Sequence, residues 1–331
     1  MTEKINWGII GCGRISAAFA RGLRLLRDTR LTAVASLTPG KAETFAKRFH
    51  ASKAYTDYES LAADKDVDIV YIGTLHNAHM PNTLLALDNG KHVLCEKPFA
   101  LNAKEAAAMI QKAQEKELFL MEAMWTRFLP ASRKIRQLLD SGVLGDVRYL
   151  RAEFGFSAEW DPEDRLHNLE LAGGSLLDLG IYPVSYARWV FGQKPSSLHS
   201  TACIGETAVD ENSSYYFQYE GGNSALLFSS FRIKTPNMAL IGGTKGYIRI
   251  PNFFHPRWFV HMPSNSRIPK IHHLPYRSTG LQYQAREAMD CIHSGRPESP
   301  IMPLDETLEI METLDSLRRP WGLVYPEETR E

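Results

Sequence analysis

The sequence predicts an α/β fold: an N-terminal doubly wound parallel sheet, followed by an α+β domain with an open, mostly antiparallel sheet. Two observations predict the first domain: a glycine-rich turn, Gly11 and Gly13, follows the first apolar run, and six strand-like runs separated by helices precede residue 122. A third observation predicts the second domain, because later strand-like runs follow one another through glycine-containing turns. We therefore place the domains at residues 1–122 and 123–331.

The composition is that of a globular protein of the cytoplasm. With 331 residues, the chain exceeds the size of one ordinary core. Its 38 Lys and Arg balance 38 Asp and Glu, which argues against nucleic acid or an anionic membrane as partner. No apolar run approaches the ~20 residues that span a bilayer, and the first strand begins too early for a signal peptide. The four cysteines are far apart, as expected of buried thiols in a reducing compartment.

The first strand and the turn after it have the pattern of a dinucleotide site. Ile5–Ile10 is apolar, and a Gly-x-Gly-x-x-Ser pattern ending at Ser16 opens a segment with helical spacing. The first glycine permits a tight turn, the second lets backbone approach a pyrophosphate, and a small third residue lets helix and strand lie close. Phosphates would then bind amides at the positive end of the helix, as in a Rossmann domain. The residues expected to hold them are Gly11, Gly13, Arg14 and Ile15.

The segment after the second strand favours NADP over NAD. An NAD site usually has an acid there for the adenosine ribose, but no acid stands between Ala35 and Lys41. Ser36, Thr38 and Lys41 could hold a 2′-phosphate, which an acid would repel. The alternative is a polar loop with a solvated lysine, and NAD remains possible.

Polar residues also follow the strand that ends near Ile72. Thr74, His76 and His79 lie where ligands bind in open α/β sheets, so we expect them at the cofactor and substrate. Two histidines three residues apart could instead bind a metal, but no third ligand stands near them in the sequence. We therefore predict no metal.

The stretch from Gly90 to Pro98 carries the first candidate for catalysis. An apolar strand, His92–Cys95, ends in Glu96-Lys97-Pro98. A lysine at the carboxyl end of a buried parallel strand, followed by a proline that cannot extend the ladder, is well placed for chemistry. The alternative is a surface Glu-Lys pair.

A second candidate lies behind the Gly173-Gly174 turn. Asp178 and Tyr182 are four residues apart, so on a helix they share one face. An acid beside a phenol suggests a pair that handles protons. The alternative is a capping acid and a buried tyrosine.

Together these motifs resemble the family named for glucose–fructose oxidoreductase, inositol dehydrogenase and the rhizopine catabolism protein (Gfo/Idh/MocA). Within it, the chain is most similar to the branch of dimeric dihydrodiol dehydrogenases and NADP-dependent D-xylose dehydrogenases. Two departures are Thr74-Leu75-His76, where Thr-Pro-Asn is common, and the lack of an arginine near Leu37. The markers are Gly11 with Gly13, His76 with His79, the run from Gly90 to Pro98, Trp125 with Arg127 and Phe128, the run from Gly173 to Pro183, and Arg318 to Leu323.

The resemblance implies transfer of hydride between nicotinamide and a hydroxyl or carbonyl of a sugar, polyol or trans-dihydrodiol. Lys97 would lie between cofactor and substrate, Tyr182 would be the general acid–base, and Asp178 would orient the substrate or Tyr182. Because the pKa of tyrosine is ordinarily ~10, a nearby ammonium is needed for the phenolate to form near neutrality. Thr74, His76, His79, Glu96 and Lys97 would contact the cofactor, and His79, Trp125, Arg127 and Phe154 the substrate.

The resemblance also implies a homodimer formed through the sheet of the second domain. A sheet face that helices leave uncovered must be buried elsewhere. The alternative to an enzyme is a non-catalytic sensor that binds the nucleotide to regulate a partner. A sensor need not keep Lys97 and Tyr182, and both are present.

Overall fold

The computed structural model describes residues 4–329. The chain forms two compact units, Met1–Phe128 with Arg277–Leu308, and Leu129–Tyr276 with Glu309–Glu331. The division differs from the one expected at residue 122, because the segment 277–308 returns to the first unit. There the backbone N–H of Leu120 donates to the carbonyl of Pro297, a pairing between distant segments that local patterns do not reveal.

The first unit is built on a six-stranded sheet in which every neighbouring pair is parallel. Its strand order is β3-β2-β1-β4-β5-β6, the Rossmann order, which confirms the predicted fold. The order reverses between β1 and β4, and ligands bind at the carboxyl ends of such strands. The strands are β1 (Ile5–Ile10), β2 (Thr29–Ala35), β3 (Lys53–Tyr55), β4 (Ile69–Ile72), β5 (His92–Cys95) and β6 (Leu120–Glu122).

Two of the helices that connect these strands begin at side-chain caps. Oδ1 of Asp57 accepts the backbone N–H of Ser60 at 2.6 Å, and Oδ1 of Asn102 accepts that of Glu105 at 2.8 Å. The helices are α1 (Arg14–Leu23), α2 (Lys41–Phe49), α3 (Tyr58–Ala62), α4 (His79–Asp88) and α5 (Ala103–Glu115).

The second unit contains an eight-stranded sheet in the order β14-β13-β12-β11-β7-β10-β9-β8. Only the pair β7 and β10 is parallel, so the prediction of a mostly antiparallel sheet is confirmed. Buried and accessible residues alternate along β7 and β10, as expected of strands with one covered face. The strands are β7 (Val147–Gly155), β8 (Ser197–Ile204), β9 (Asp210–Gln218), β10 (Ser224–Ser230), β11 (Met238–Gly243), β12 (Gly246–Pro251), β13 (Trp258–Pro263) and β14 (Lys270–His273).

Four further helices complete the fold: α6 (Pro130–Asp140), α7 (Ile181–Phe191), α8 (Gln282–His293) and α9 (Leu304–Arg318). The sequence analysis missed α6, which begins with a proline in its first turn. A π-helical turn, Leu176–Gly180, leads directly into α7, and such turns are frequent at functional sites. Within residues 4–329, no helix combines the length and apolar character needed to cross a membrane.

Candidate active site

The turn between β1 and α1 has the shape of a phosphate cradle. Gly11 adopts φ +90°, and a Cβ on it would lie 2.7 Å from the carbonyl oxygen of Gly73. Beside Gly13, by contrast, a Cβ would meet its nearest neighbour only at 4.0 Å, so the backbone there is accessible. Arg14 and Ile15 are exposed at the start of α1, whose first amides need acceptors. These residues fit the pyrophosphate of NAD(P).

The serine in the third position of the pattern suits its surroundings. Ser16 is fully buried, and a Cβ added to Gly73 would collide with its Oγ. Helix and strand are therefore in close contact here, which is the condition that a small residue satisfies.

The adenosine end of the candidate site is the loop after β2. Ser36 is buried and its Oγ accepts the backbone N–H of Thr38 at 3.3 Å, whereas Thr38 and Lys41 are exposed. The sequence analysis did not consider Glu43, in the first turn of α2. Burial raises the pKa of the Cys12 thiol to about 11; the charge of Lys41 opposes this rise and that of Glu43 adds to it. Both charges therefore act on the glycine-rich turn.

Glu96 is held inside the first unit beside Lys97. Only 4% of it is exposed, and its Oε1 accepts a hydrogen bond of 2.5 Å from the hydroxyl of Tyr71. Its Oε2 accepts the backbone N–H of Lys97 at 3.2 Å. The Tyr71 ring stacks on Phe19, with ring centroids 3.9 Å apart, so β4 and α1 both support the loop. The peptide bond between Lys97 and Pro98 is cis.

His79 supports the same loop from the start of α4. Its ring is fully buried, and Nδ1 lies 2.8 Å from the carbonyl oxygen of Pro98, so this nitrogen carries the hydrogen. Burial, and to a smaller extent the charge of Lys97, lowers the pKa of His79 to about 4. The rings of His76 and His79 meet edge to face with centroids 5.8 Å apart. Nearby, Thr74 Oγ1 accepts a hydrogen bond from Asn82 at 3.4 Å.

Arg127 lies in a buried charged cluster at the end of β6. Its Nη1 is 2.6 Å from Oε1 of Glu306, and only 3% of Arg127 is exposed. Burial raises the pKa of Glu122 to about 7; Arg127 opposes this rise and Glu96 adds to it. Oε2 of Glu122 accepts a hydrogen bond from Thr307 at 3.4 Å. Trp125 is half-buried, and binding of substrate by Trp125 and Arg127 stays a prediction.

In the second unit, Asp178 pairs with Arg165. Two pairs of atoms, Nη1 with Oδ1 and Nη2 with Oδ2, are each 3.4 Å apart. Asp178 belongs to the π-helical turn and is 9% exposed, whereas the side chain of Arg165 is 40% exposed. Asp178 is therefore held by a cation that approaches from the loop after β7.

Tyr182 lies in an aromatic cluster. Its ring meets that of Phe154 edge to face, with centroids 5.4 Å apart, and that of Phe254 at 5.9 Å. Phe154 and Phe254 stack with centroids 4.0 Å apart. Phe154 and Tyr182 are each 8% exposed. The cluster forms an apolar wall beside the ring of Tyr182, a suitable surface for the carbon face of a sugar or cyclic diol.

The structure thus brings predicted site residues together within each unit. Arg165 and Phe254 were not among them, because both lie outside the strands and α-helices. No local pattern marks either residue; only the pairing with Asp178 and Phe154 identifies them. Among the described residues 4–329, no group of three or more His, Cys, Asp or Glu side chains could hold a metal ion.

Both units match models of known protein families. Residues 5–124 match the model described as oxidoreductase family, NAD-binding Rossmann fold. Residues 132–249 match the model of the GFO/IDH/MocA C-terminal domain. The trans-1,2-dihydrobenzene-1,2-diol dehydrogenase of Mus musculus is 39% identical over 98% of this chain and 99% of its own length. The corresponding human enzyme is 37% identical with the same coverage.

Solved structures share the fold. An aldose–aldose oxidoreductase from Caulobacter crescentus, complexed with glycerol, is 26% identical over 96% of this chain and 97% of its own, with a TM-score of 0.87. A 3-ketoreductase from Actinomadura kijaniata, in complex with NADP and TDP-benzene, is 26% identical over 96% and 98%, with a TM-score of 0.82. A lysine-to-alanine and a tyrosine-to-phenylalanine variant of that ketoreductase are also solved with both ligands.

Proposed function

Because the chain belongs to the Gfo/Idh/MocA family of oxidoreductases, we propose that it oxidises a trans-dihydrodiol, with NADP as its preferred cofactor. The general reaction class is that of an NAD(P)-dependent oxidoreductase acting on the CH–OH group of a sugar, polyol or diol. The prediction of an enzyme rather than a sensor is confirmed. The observation that carries the proposed substrate is the near-complete coverage of relatives named for a dihydrodiol.

Tyr182 is the proposed general acid–base, and Lys97 is the second proposed catalytic residue. Oxidation of a secondary alcohol needs a base for the hydroxyl proton, and the bound nicotinamide supplies the hydride acceptor. The aromatic contacts of Tyr182 support this role, because they orient the phenol and limit water around it. A lysine and a tyrosine were also the residues chosen for substitution in the solved variants of the ketoreductase, which supports the choice of these two residue types. Asp178 is the proposed orienting residue, and Arg165 holds its carboxylate.

The proposed preference for NADP rests on the loop after β2. Exposed Thr38 and Lys41 offer a hydroxyl and a charge, and no acid lies between Ala35 and Lys41. The negative charge of Glu43 opposes the preference for NADP, because it would repel the 2′-phosphate. The ketoreductase solved with NADP supports this choice within the fold.

We also propose a homodimer that forms through the accessible face of the eight-stranded sheet. Strand register places one row of side chains on this face, and its apolar members include Leu226, 44% exposed, and Ile271, 68% exposed. Tyr247 and Trp258 are exposed on neighbouring strands of the same sheet. The row is Tyr216, Leu226, Arg151, Leu240, Arg249, Val260 and Ile271.

Light scattering after size-exclusion chromatography tests the dimer. The expected mass is twice the 37.4 kDa of the chain. A charge inside an apolar interface is costly, so Leu226→Glu should shift the equilibrium to monomer. Leu25→Glu, at an exposed leucine of the first unit, is the control and should leave the dimer intact. A monomeric wild type at micromolar concentration would contradict the proposal.

The proposed location is the cytoplasm. Cys12, Cys95 and Cys291 are buried thiols, and Cys203 is also a thiol, a state that a reducing compartment preserves. Fractionation of cells that express a tagged chain tests the location. Recovery with a secreted marker would contradict it.

A substrate screen tests the proposed reaction. Purified protein is mixed with NADP or NAD and with trans-1,2-dihydrobenzene-1,2-diol, D-xylose or an inositol, and reduction of the nucleotide is followed at 340 nm. The highest kcat/KM is expected for the diol with NADP, and Lys97→Met should abolish the signal while NADPH still binds. Preference for a sugar would contradict the substrate, and preference for NAD would contradict the cofactor.

A further inference from the structure

The helical segment that carries Asp178 and Tyr182 begins on a buried carboxylate. Asp210, the first residue of β9, has no exposed surface. Its Oδ2 accepts the backbone N–H of Leu176 at 2.8 Å and the hydroxyl of Ser175 at 3.1 Å. The hydroxyl of Ser213, on β9 itself, donates to the same oxygen. One oxygen therefore joins the start of the helical segment to the sheet.

The turn before the helical segment is shaped for this contact. Gly174 adopts φ +118°, and a Cβ on it would lie 2.5 Å from Oδ1 of Asp210. The carbonyl of the preceding Gly173 accepts the hydroxyl of Tyr325 at 2.8 Å. Glycine is required where backbone approaches a buried side chain this closely. Asp210 and Tyr325 therefore hold the two glycines of this turn in place.

Hydroxyl groups extend the network along the underside of the segment. Ser175 Oγ lies 2.9 Å from Ser229 Oγ on β10, and that atom lies 2.7 Å from the hydroxyl of Tyr215. A Cβ on Gly180, at the end of the π-helical turn, would lie 2.5 Å from the same tyrosine hydroxyl. Small residues let the segment rest directly on β9 and β10. Hydrogen bonds inside a protein strengthen one another, so this network holds the segment in one arrangement on the sheet.

The charge of Asp210 suits its place. A carboxylate at the start of a helix interacts favourably with the N-terminal end of the helix dipole. Burial raises the pKa of Asp210 to about 6, and the donors from Ser213, Leu176 and Ser175 oppose this rise. At pH 7 and above, the group is therefore an anion that gathers three donors.

We propose that Asp210 is a positioning residue, which fixes the helical segment and thereby the phenol of Tyr182 and the carboxylate of Asp178. The proposal rests on the roles proposed above for those two residues. Tyr182 follows Ser175 by seven residues on one continuous helical segment, so a shift at its start moves the phenol as well. A misplacement of about 1 Å can cost about 100-fold in rate.

A matched pair of serine variants tests the proposal. Ser175→Ala and Ser213→Ala each remove one hydroxyl donor to the same oxygen of Asp210, but only Ser175 belongs to the helical segment. Ser175→Ala should lower kcat for trans-1,2-dihydrobenzene-1,2-diol about tenfold at unchanged Kd for NADPH. Ser213→Ala should retain kcat within about twofold of wild type, even if its melting temperature falls as much as that of Ser175→Ala. Equal losses of kcat in the two variants would overturn the proposal.

Asp210→Asn gives the larger effect if the variant folds. Its kcat should fall about 10- to 100-fold, with Kd for NADPH within about twofold of wild type. If the variant does not fold, the serine pair decides. A folded variant with the kcat of wild type would overturn the proposal.

Ionisation of Tyr182 provides a readout that needs no substrate. NMR of protein labelled at tyrosine Cζ, with the signal assigned by its loss in Tyr182→Phe, reports the pKa of this phenol. Ser175→Ala should change that pKa, because the phenol moves relative to its surroundings, and Ser213→Ala should not. The same pKa in all three proteins would overturn the proposal.

A double variant separates this inference from the proposed function. If Asp210 acts through Tyr182, Asp210→Asn should reduce residual kcat of Tyr182→Phe by less than about twofold, because the two effects are not additive. A further drop equal to that in wild type would overturn the inference alone. Wild-type kcat in Tyr182→Phe would instead overturn the proposed role of Tyr182.

Discussion

The hydroxyl of Tyr71 donates a hydrogen bond of 2.5 Å to Oε1 of Glu96, 25 positions along the chain. Both residues are buried, and the other carboxylate oxygen accepts the backbone N–H of Lys97. Glu96 therefore does more than pair with a neighbour at the surface. It links the ends of β4 and β5 and supports the backbone of the residue proposed to be catalytic.

Tyr71→Phe should lower kcat about fivefold, because loss of one hydrogen bond to a charged group, worth about 1 to 3 kcal/mol, loosens the Lys97 loop. Tyr55→Phe is the matched control, since that hydroxyl donates to Asp64 at 3.1 Å in another part of the same unit. Steady-state kinetics and thermal unfolding of both variants provide the measurement. Equal kcat in the two variants would show that the bond supports stability alone.

Glu122 should make the protein less stable as pH rises toward neutrality. Its pKa is about 7 in the folded chain and ~4.3 when unfolded, so between these values the folded state binds the extra proton. Stability then decreases with rising pH, by at most about 1.4 kcal/mol per pH unit, and levels off above pH 7. Urea unfolding at pH 5, 6, 7 and 8 should show this contribution as the difference between wild type and Glu122→Gln, because His79 and Asp210 also titrate differently in the folded and unfolded chain.

Glu122→Gln should lack this contribution, because the amide does not titrate. Glu115→Gln, at an exposed position of α5, should retain it. The same pH dependence in wild type and Glu122→Gln would assign it to other groups.

Lys41→Ala should weaken NADPH binding about three- to tenfold and leave NADH binding unchanged, because only NADPH carries the 2′-phosphate. Fluorescence titration with each nucleotide provides the two Kd values. Lys47→Ala removes an exposed lysine from the last turn of the same helix and should affect neither. An equal loss for both nucleotides would contradict the proposed contact.

Much of the fold follows from local patterns. The strand His92–Cys95 has the predicted bounds, and Asp57 and Asn102 are residue types that commonly cap helices. These features depend on apolar runs and on side chains that bond to nearby backbone, which a sequence displays directly. The glycine-rich turn between β1 and α1 belongs to the same class.

The supports of the candidate site are not local, which is why the sequence analysis missed them. Tyr71 meets Glu96 across two strands, Arg165 reaches Asp178 from an irregular loop, and Asp210 lies 34 residues from Leu176. Such pairs depend on strand order and on the path of loops. Helix α6 was missed for a different reason, since Leu129 before it provides no side-chain cap and no acidic residue lies in its first turn.

The central claim is that the phenol of Tyr182 handles the substrate proton, and the pH dependence of kcat in Tyr182→Phe tests it most directly. Tyr186→Phe is the control: it lies one turn further on α7, and its buried hydroxyl has no hydrogen-bond partner among the described residues. Between pH 6 and pH 10, Tyr182→Phe should lose about 100-fold or more in kcat at unchanged Kd for NADPH, while Tyr186→Phe retains activity. Wild-type kcat across that range in Tyr182→Phe would contradict the account.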